Sequence, residues 1–164
     1  MIDARRFRSA LGRFATGVTV VTTERDDEVH AMTANAFTSV SLDPPLVLVS
    51  IDRRARMHDL LPATRHFGVS VLGSDQERVA MHFAGRPMTE PGELFIWMGD
   101  VPVVKGAIAE VACSLYAEHP AGDHTLYLGE VMDIADRPGD PLLFHSGSFG
   151  KLSRELALAD TWGW

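Results

Sequence analysis

From Ala107 to Ala117 an apolar residue stands at every second position: Ala107, Ala109, Val111, Cys113, Leu115 and Ala117. After the turn HPAGD at 119–123 a second alternating run puts Leu126, Leu128, Met132 and Ile134 on one face. A period of two is the mark of a half-buried strand, and two such runs joined by a short Gly-containing turn predict a long antiparallel hairpin. So long a hairpin needs partner strands, and the rest of the chain supplies them. VTVVTT at 18–23 is strongly β-branched, and the charged RDDE at 25–28 separates it from a further strand over 29–36, as in a hairpin. LVLVSI at 46–51 is an apolar run suited to a sheet core, with Pro44 and Pro45 marking its start. FGVSVL at 67–72 and the segment 142–145 complete the expected set of about six or seven strands.

Helices are few. Asp3 caps a first helix whose Phe7, Ala10, Leu11 and Phe14 share a face, and Gly17 is the expected stop. The apolar face implies that this helix covers something. Short helical signals follow over 53–61 and 76–83, and a terminal helix is expected over 153–159. Mostly β structure with hairpin-length connections favours a closed or split antiparallel barrel over a doubly wound sheet. One domain over 1–164 is expected, with its core at about 5–152 and residues 153–164 helical or loosely packed.

Composition narrows the function. A net charge of −7 argues against sequence-independent nucleic-acid binding, which needs basic residues to meet phosphates. The single cysteine, Cys113, excludes an intramolecular disulfide and sits in a strand pattern where a buried thiol is expected. Neither a membrane-length apolar run nor a signal-peptide core is present, so the cytoplasm is expected. His30, His66, His82, His119 and His145 show no metal spacing, and no zinc site is assigned. There is no GxGxxG after a strand and no GxxxxGK[ST], so a nucleotide would have to be held by other means.

The segment MTANAFTSVSLDPPLVL at 32–48 offers such means. Read as a connection between strands, it carries the hydroxyl and amide groups of Thr33, Asn35, Thr38, Ser39 and Ser41, while Ala34 and Ala36 keep its wall low. Exposed backbone N–H groups in such turns hold anions, yet the same residues serve equally to satisfy a turn's own backbone. Ser50, Ile51 and Asp52 lead into Arg53, Arg54 and Arg56, a set suited to a phosphate or to a solvated basic turn.

Three ordered motifs carry a resemblance. FATGVTVVTT at 14–23, HAMTANAFTSVSLDPPLVLVS at 30–50 and GDHTLYLGEV at 122–131 make the chain similar to the short-chain flavin reductases over about residues 5–152. These are the NAD(P)H:flavin oxidoreductase partners of two-component monooxygenases. The resemblance implies an all-β dominated fold with a few helices, an antiparallel split β-barrel of Greek-key, FMN-binding type. It implies that Thr33, Ala34, Asn35 and Ala36 line an isoalloxazine ring, continued by Ser39, Val40 and Ser41. Ser50, Ile51, Asp52, Arg56 and Met57 would bind the same cofactor, with Arg56 on its phosphate and His58 at the rim. Phe83, Ala84 and Gly85 would meet the ribityl or phosphate part.

The same resemblance places His124 beside a nicotinamide, which it would orient, with Phe14, Thr16, Gly17, Ser148 and Phe149 bordering that pocket. Two departures stand out. Ala36 replaces a common Ser, so backbone amides would have to hold the ring, and Phe149 replaces a common Tyr, so stacking would replace a hydroxyl contact. FAD or FMN and NADH, with NADPH possible, are the implied cofactors. A homodimer and a monooxygenase supplied with reduced flavin by diffusion are the implied partners. A flavin-binding carrier without turnover is the alternative.

Overall fold

The computed structural model describes residues 2–153. Its centre is the expected hairpin, β9 (Ala109–Ala121) and β10 (His124–Asp136). With β2 (Thr19–Arg25), β3 (Glu28–Ala34), β4 (Phe37–Leu42), β5 (Pro45–Asp52) and β6 (His66–Val71) they form a seven-stranded antiparallel sheet in the order β3-β2-β6-β9-β10-β5-β4. Its two edge strands are consecutive in the chain. Only Asn35 and Ala36 separate them, and Ser50 N–H donates to Ala36 C=O at 3.0 Å. The sheet therefore curls until its edges meet at this link, which makes a split barrel. The β2–β3 turn is built on Asp26 and Asp27, both at positive φ (56° and 60°), the demand of a tight hairpin turn that Asp tolerates.

The segment 37–42, expected as a connection, is instead strand β4, paired to β5 from Phe37 opposite Val49 to Leu42 opposite Pro45. An edge strand needs only one ladder, and its outward hydroxyls conceal the strand period.

The second half of the hairpin is also corrected. Thr125 and Tyr127 are buried, whereas Met132 and Ile134, expected on the covered face, are each 63% exposed. The parity is set at the start of the strand, where Thr125 and Tyr127 face the core opposite Ile51 and Val49 while Leu126 and Leu128 face out; two register shifts follow, with Tyr116 an extra residue opposite Leu128/Gly129 and Met132 an extra residue opposite Cys113/Ala112. Each bulge changes which side of the sheet the following side chains face. Cys113 is buried as expected, and burial pushes its thiol up to about 12.

Inside the barrel, Val21, Val47, Val49, Ile51, Phe67, Val111, Cys113, Leu115 and Tyr127 form one core. It is closed by α2 (Arg56–Thr64), which contributes Met57, Leu60 and Leu61. A second core lies on the outer face of β2, where Val18, Val20 and Leu72 meet Leu142 and Ala80 of α3 (Glu77–Phe83). It is roofed by the hairpin of β7 (Phe95–Met98) and β8 (Val101–Val104), and by a small sheet of β1 (Thr16–Gly17), β11 (Leu143–His145) and β12 (Ser148–Gly150); β11 is the strand expected over 142–145, and the sequence pattern did not reveal the others. Thr22 Oγ1 donates to Pro102 C=O, and Ser70 Oγ accepts Val104 N–H at 2.8 Å, so buried hydroxyls dock β8 onto the barrel.

The first helix, α1 (Ala4–Leu11), is capped by Asp3, whose carboxylate accepts Arg6 N–H at 2.8 Å. It ends at Gly12, not Gly17, because Gly12 C=O is taken by Ser146 N–H at 2.8 Å and Gly17 pairs with Leu143 in β1. None of its residues is buried: Phe7 and Leu11 remain more than half exposed. Within one chain the amphipathic helix covers nothing. The expected terminal helix falls on residues that, apart from Ser153, lie outside those described. Among the described residues, no helix is long and apolar enough to cross a membrane.

Candidate functional site

Strand β5 orders the site. Val47, Val49 and Ile51 point into the barrel, so Leu48, Ser50 and Asp52 share the outer face, about 7 Å apart from one to the next. Leu48 lies beneath a cleft, Ser50 is bonded to Ala36, and Asp52 pairs across the ladder with His124. The polar link, the basic turn and the GDH tip, far apart in sequence, thus line one surface.

The cleft has a volume of about 980 Å³. The end of α1, Phe14 and Thr16 form one side, and Asn35, Ala36, Phe37 and Thr38 the other. Phe144, Ser146 and Gly147 complete it. Residues expected at a nicotinamide therefore face residues expected at a flavin ring. Thr16 Oγ1 is buried with no hydrogen-bond partner, a polar atom left open beside this cleft. Phe149 stacks edge-on against Phe144 (ring centroids 5.6 Å) over the second core, and Ser148 is exposed next to it. Phe144, Ser146 and Gly147 had no sequence signal beyond the SGSFG turn. Its Ser146 and Gly147 both adopt positive φ and fold β12 back on β11.

Thr33 Oγ1 donates to Ala80 C=O at 2.7 Å, which ties the end of β3 to α3. Phe83 ends this helix, followed by Ala84 and Gly85, and none of the three lines the cleft. Phe83 packs between His82 (4.6 Å) and Phe95 (5.6 Å), and Gly85 turns away at φ 91°. Ala34 packs toward the barrel core, Ile51 is wholly buried and Met57 is 3% exposed, so these three offer a ligand their main chain only. Ser39, Val40 and Ser41 run the other way, toward the β4–β5 turn, where Ser41 Oγ accepts Asp43 N–H at 3.2 Å. They lie across Leu48 from the basic turn.

At the far end of β5, the Asp52 carboxylate accepts Arg54 N–H (2.8 Å), Nε (3.1 Å) and Nη2 (2.7 Å). This guanidinium fork holds the Asp52 carboxyl well below the usual range. Arg54 is thus engaged, while Arg56 opens α2 and reaches only Glu28, at 4.0 Å. No side chain caps α2, whose N-cap is Ala55. Unsatisfied N–H groups beside Arg53 and Arg56 make this end attractive to a phosphate.

The GDH tip closes against that turn. Arg53 N–H donates to Asp123 C=O at 3.0 Å. His124 Nδ1 lies 2.7 Å from Asp123 Oδ1, and because a carboxylate only accepts, Nδ1 carries the proton and Nε2 is left for other contacts. The imidazole in turn holds the Asp123 carboxyl low. Behind the tip is a network that motif reading passed over: His58 Nε2 lies 3.1 Å from Thr125 Oγ1, and Tyr127 Oη donates to His58 C=O at 3.0 Å. The signal for it was present in two polar residues, Thr125 and Tyr127, alternating with Leu126 and Leu128.

Comparison with known proteins establishes the family. The model of the flavin reductase like domain matches residues 11–153. An NADH-dependent flavin reductase of Rhodococcus sp is 52% identical over 95% of this chain and 90% of its own. The reductase component of 4-hydroxyphenylacetate 3-monooxygenase from Thermus thermophilus is 40% identical over 89% of this chain and 95% of its own. The solved structure of flavin reductase PheA2 superposes with a TM-score of 0.89 at 48% identity, covering 93% of this chain and all of that one. With the fold and the sequence in agreement over nearly its whole length, the chain belongs to the flavin reductase like domain family.

Proposed function

We propose that this chain is an NADH:flavin oxidoreductase that reduces FAD or FMN and releases the reduced flavin to a separate monooxygenase. One observation carries the site assignment: the cleft, the Ala36–Ser50 link and the basic turn follow one another along the outer face of β5 in the order a ring, a ribityl chain and a phosphate require. The residues fit a flavin. Asn35 and Ala36 form a low wall whose main chain a flat ring can approach, and the uncapped start of α2 with Arg56 suits the phosphate. Bound there, a flavin supplies the N5 atom that accepts hydride from the nicotinamide.

The chain's own residues position and screen. Main-chain amides of the Asn35–Ala36 link would hold the ring and stabilise the negative charge that reduction adds, so the missing hydroxyl at Ala36 would cost little. Phe14 and Phe149 confine the nicotinamide, and His124, oriented by Asp123, fixes its approach without giving up a proton. NADH is preferred over NADPH, in keeping with the Rhodococcus relative. The carrier reading has no support among relatives named as reductases.

The functional unit in this reading is a homodimer. Phe7 and Leu11 on α1 and Phe14 just after it, with half-exposed Leu48, Leu126 and Leu128 on the outer sheet face, form an apolar surface one chain leaves uncovered. The cytoplasm, where NADH is available, is the compartment this reading implies. The test is anaerobic stopped-flow mixing of the protein and FAD or FMN with NADH. Rapid bleaching of the flavin is expected, and no bleaching with either NADH or NADPH refutes the assignment.

A further inference from the structure

We propose that His58 is a positioning residue that sets the placement of His124 through Thr125, joining the start of α2 to the hairpin tip. The proposal rests on the reading of His124 given above. His58 is the third residue of α2, the helix whose start faces the phosphate, and it is held twice by β10, the strand that begins with His124. Tyr127 Oη fixes its carbonyl at 3.0 Å, and its Nε2 meets Thr125 Oγ1 at 3.1 Å. Tyr127 is 1% exposed and Thr125 6%, so both contacts are shielded from water. The rings of His58 and Tyr127 also meet edge-on at 6.0 Å and 77°, which limits how the imidazole can turn.

Strand geometry carries the effect outward. Thr125 points inward and His124 outward from adjacent positions, so a shift of Thr125 tilts the neighbouring residue by the same backbone movement. The turn is fixed to the tip at a third point by Arg53 N–H on Asp123 C=O at 3.0 Å. A buried apolar pair of the same shape would pack as well without the need to satisfy an imidazole and a hydroxyl, so packing alone does not account for this pair. Three bonds between one short turn and one hairpin tip make a joint with little play.

The experiment is single-turnover flavin reduction at saturating NADH, with thermal melting as a check on folding. His58→Ala and His58→Gln are measured in the parent protein and in a His124→Ala background. His58→Ala is expected to slow reduction about tenfold in the parent, since small misplacements near a reacting pair are costly. His58→Gln, which can still reach Thr125, should restore most of the rate. In the His124→Ala background, His58→Ala should change the rate less than about twofold, because the two act through one element. Equal losses in both backgrounds, or a lowered melting temperature with an unchanged rate, overturn the proposal. A rate loss in His124→Ala together with a silent His58→Ala overturns the proposal and leaves the reading of His124 standing. A silent His124→Ala overturns that reading, and the proposal with it.

Discussion

Replacing Gly129 by alanine tests whether the barrel interior is as tightly set as the strand register requires. A Cβ there would stand 2.5 Å from Phe67 Cζ, 2.8 Å from Cys113 Cβ and 3.0 Å from Phe67 Cε1. Carbon atoms rest at about 3.5–4.0 Å, so the ring would have to withdraw by about 1 Å. Phe67 is fully buried in the inner core and has no free side toward which to move. Nor can the backbone yield, because Gly129 is paired with Val47 on one side and Leu115 on the other. Overpacking costs about 1–3 kcal/mol, and with two neighbours struck at once the upper end, about 3 kcal/mol, is expected. For a chain of this size that is a fall in Tm of about 6–12 °C, read by circular dichroism and urea unfolding. Phe67→Leu removes the atoms that clash, so in the double variant the two costs should fall short of their sum by at least about 1 kcal/mol. A Tm loss below about 3 °C, or strict additivity, would refute the packing argument.

The remaining tests concern the site and its ionisable groups. Arg53→Ala with Arg56→Ala should weaken FMN binding about tenfold, while riboflavin, which has no phosphate, changes less than about twofold by fluorescence titration. Equal losses for both would move the phosphate elsewhere. Leu11→Glu places a charge on the uncovered face of α1 and should shift light-scattering mass toward the monomer; an unchanged dimer would put the interface on another surface. Burial raises the Cys113 thiol to about 12, so a thiol reagent should label the native protein far more slowly than the unfolded chain at pH 8. Because that group's folded value is raised, its contribution to stability is complete below the ordinary thiol range and is lost as pH climbs toward about 12. Cys113→Ala should therefore flatten the alkaline side of a stability profile. Asp52 has the opposite sign: its folded value is depressed, so its contribution is present above the ordinary carboxylate range and is lost as pH falls below it.

What the sequence made legible follows from where the code is local. The hairpin 109–136, the start of β5 at Pro45 and the Asp3 cap each rest on a short-range rule and stand as expected. The misjudged faces and ends depend on distant partners. Thr125 and Tyr127 rather than Leu126 and Leu128 face the core, because the inner side of β10 is set by its partners Ile51 and Val49 and not by its own hydropathy. Gly12 rather than Gly17 ends α1 because Ser146, more than a hundred residues away, takes its carbonyl. The four-residue strands β7 and β8 are too short to show a period, and β8 is held by hydroxyls of β2 and β6. At the site, the motifs did not disclose what each side chain contacts: Ile51 and Met57 are buried in the core, and Asp52 is taken by Arg54.

The arrangement of charge around Asp52 supports the proposed phosphate role of the basic turn. Had all three arginines been free, like-charge repulsion would spread them, and a phosphate would have to order the turn at its own entropic cost. Instead one arginine is spent on Asp52, which closes Asp52–Ala55 into a fixed bend, with Ala55 N–H on Asp52 C=O at 2.9 Å. That bend aims the start of α2 outward and leaves Arg56 with only a distant contact to Glu28. Asp52 therefore reads as the group that shapes a phosphate site, not one that touches the phosphate, since a carboxylate facing that anion would repel it. Asp52→Asn distinguishes the two roles: loss of the Arg54 fork should weaken FMN binding, whereas relief of a direct repulsion would strengthen it.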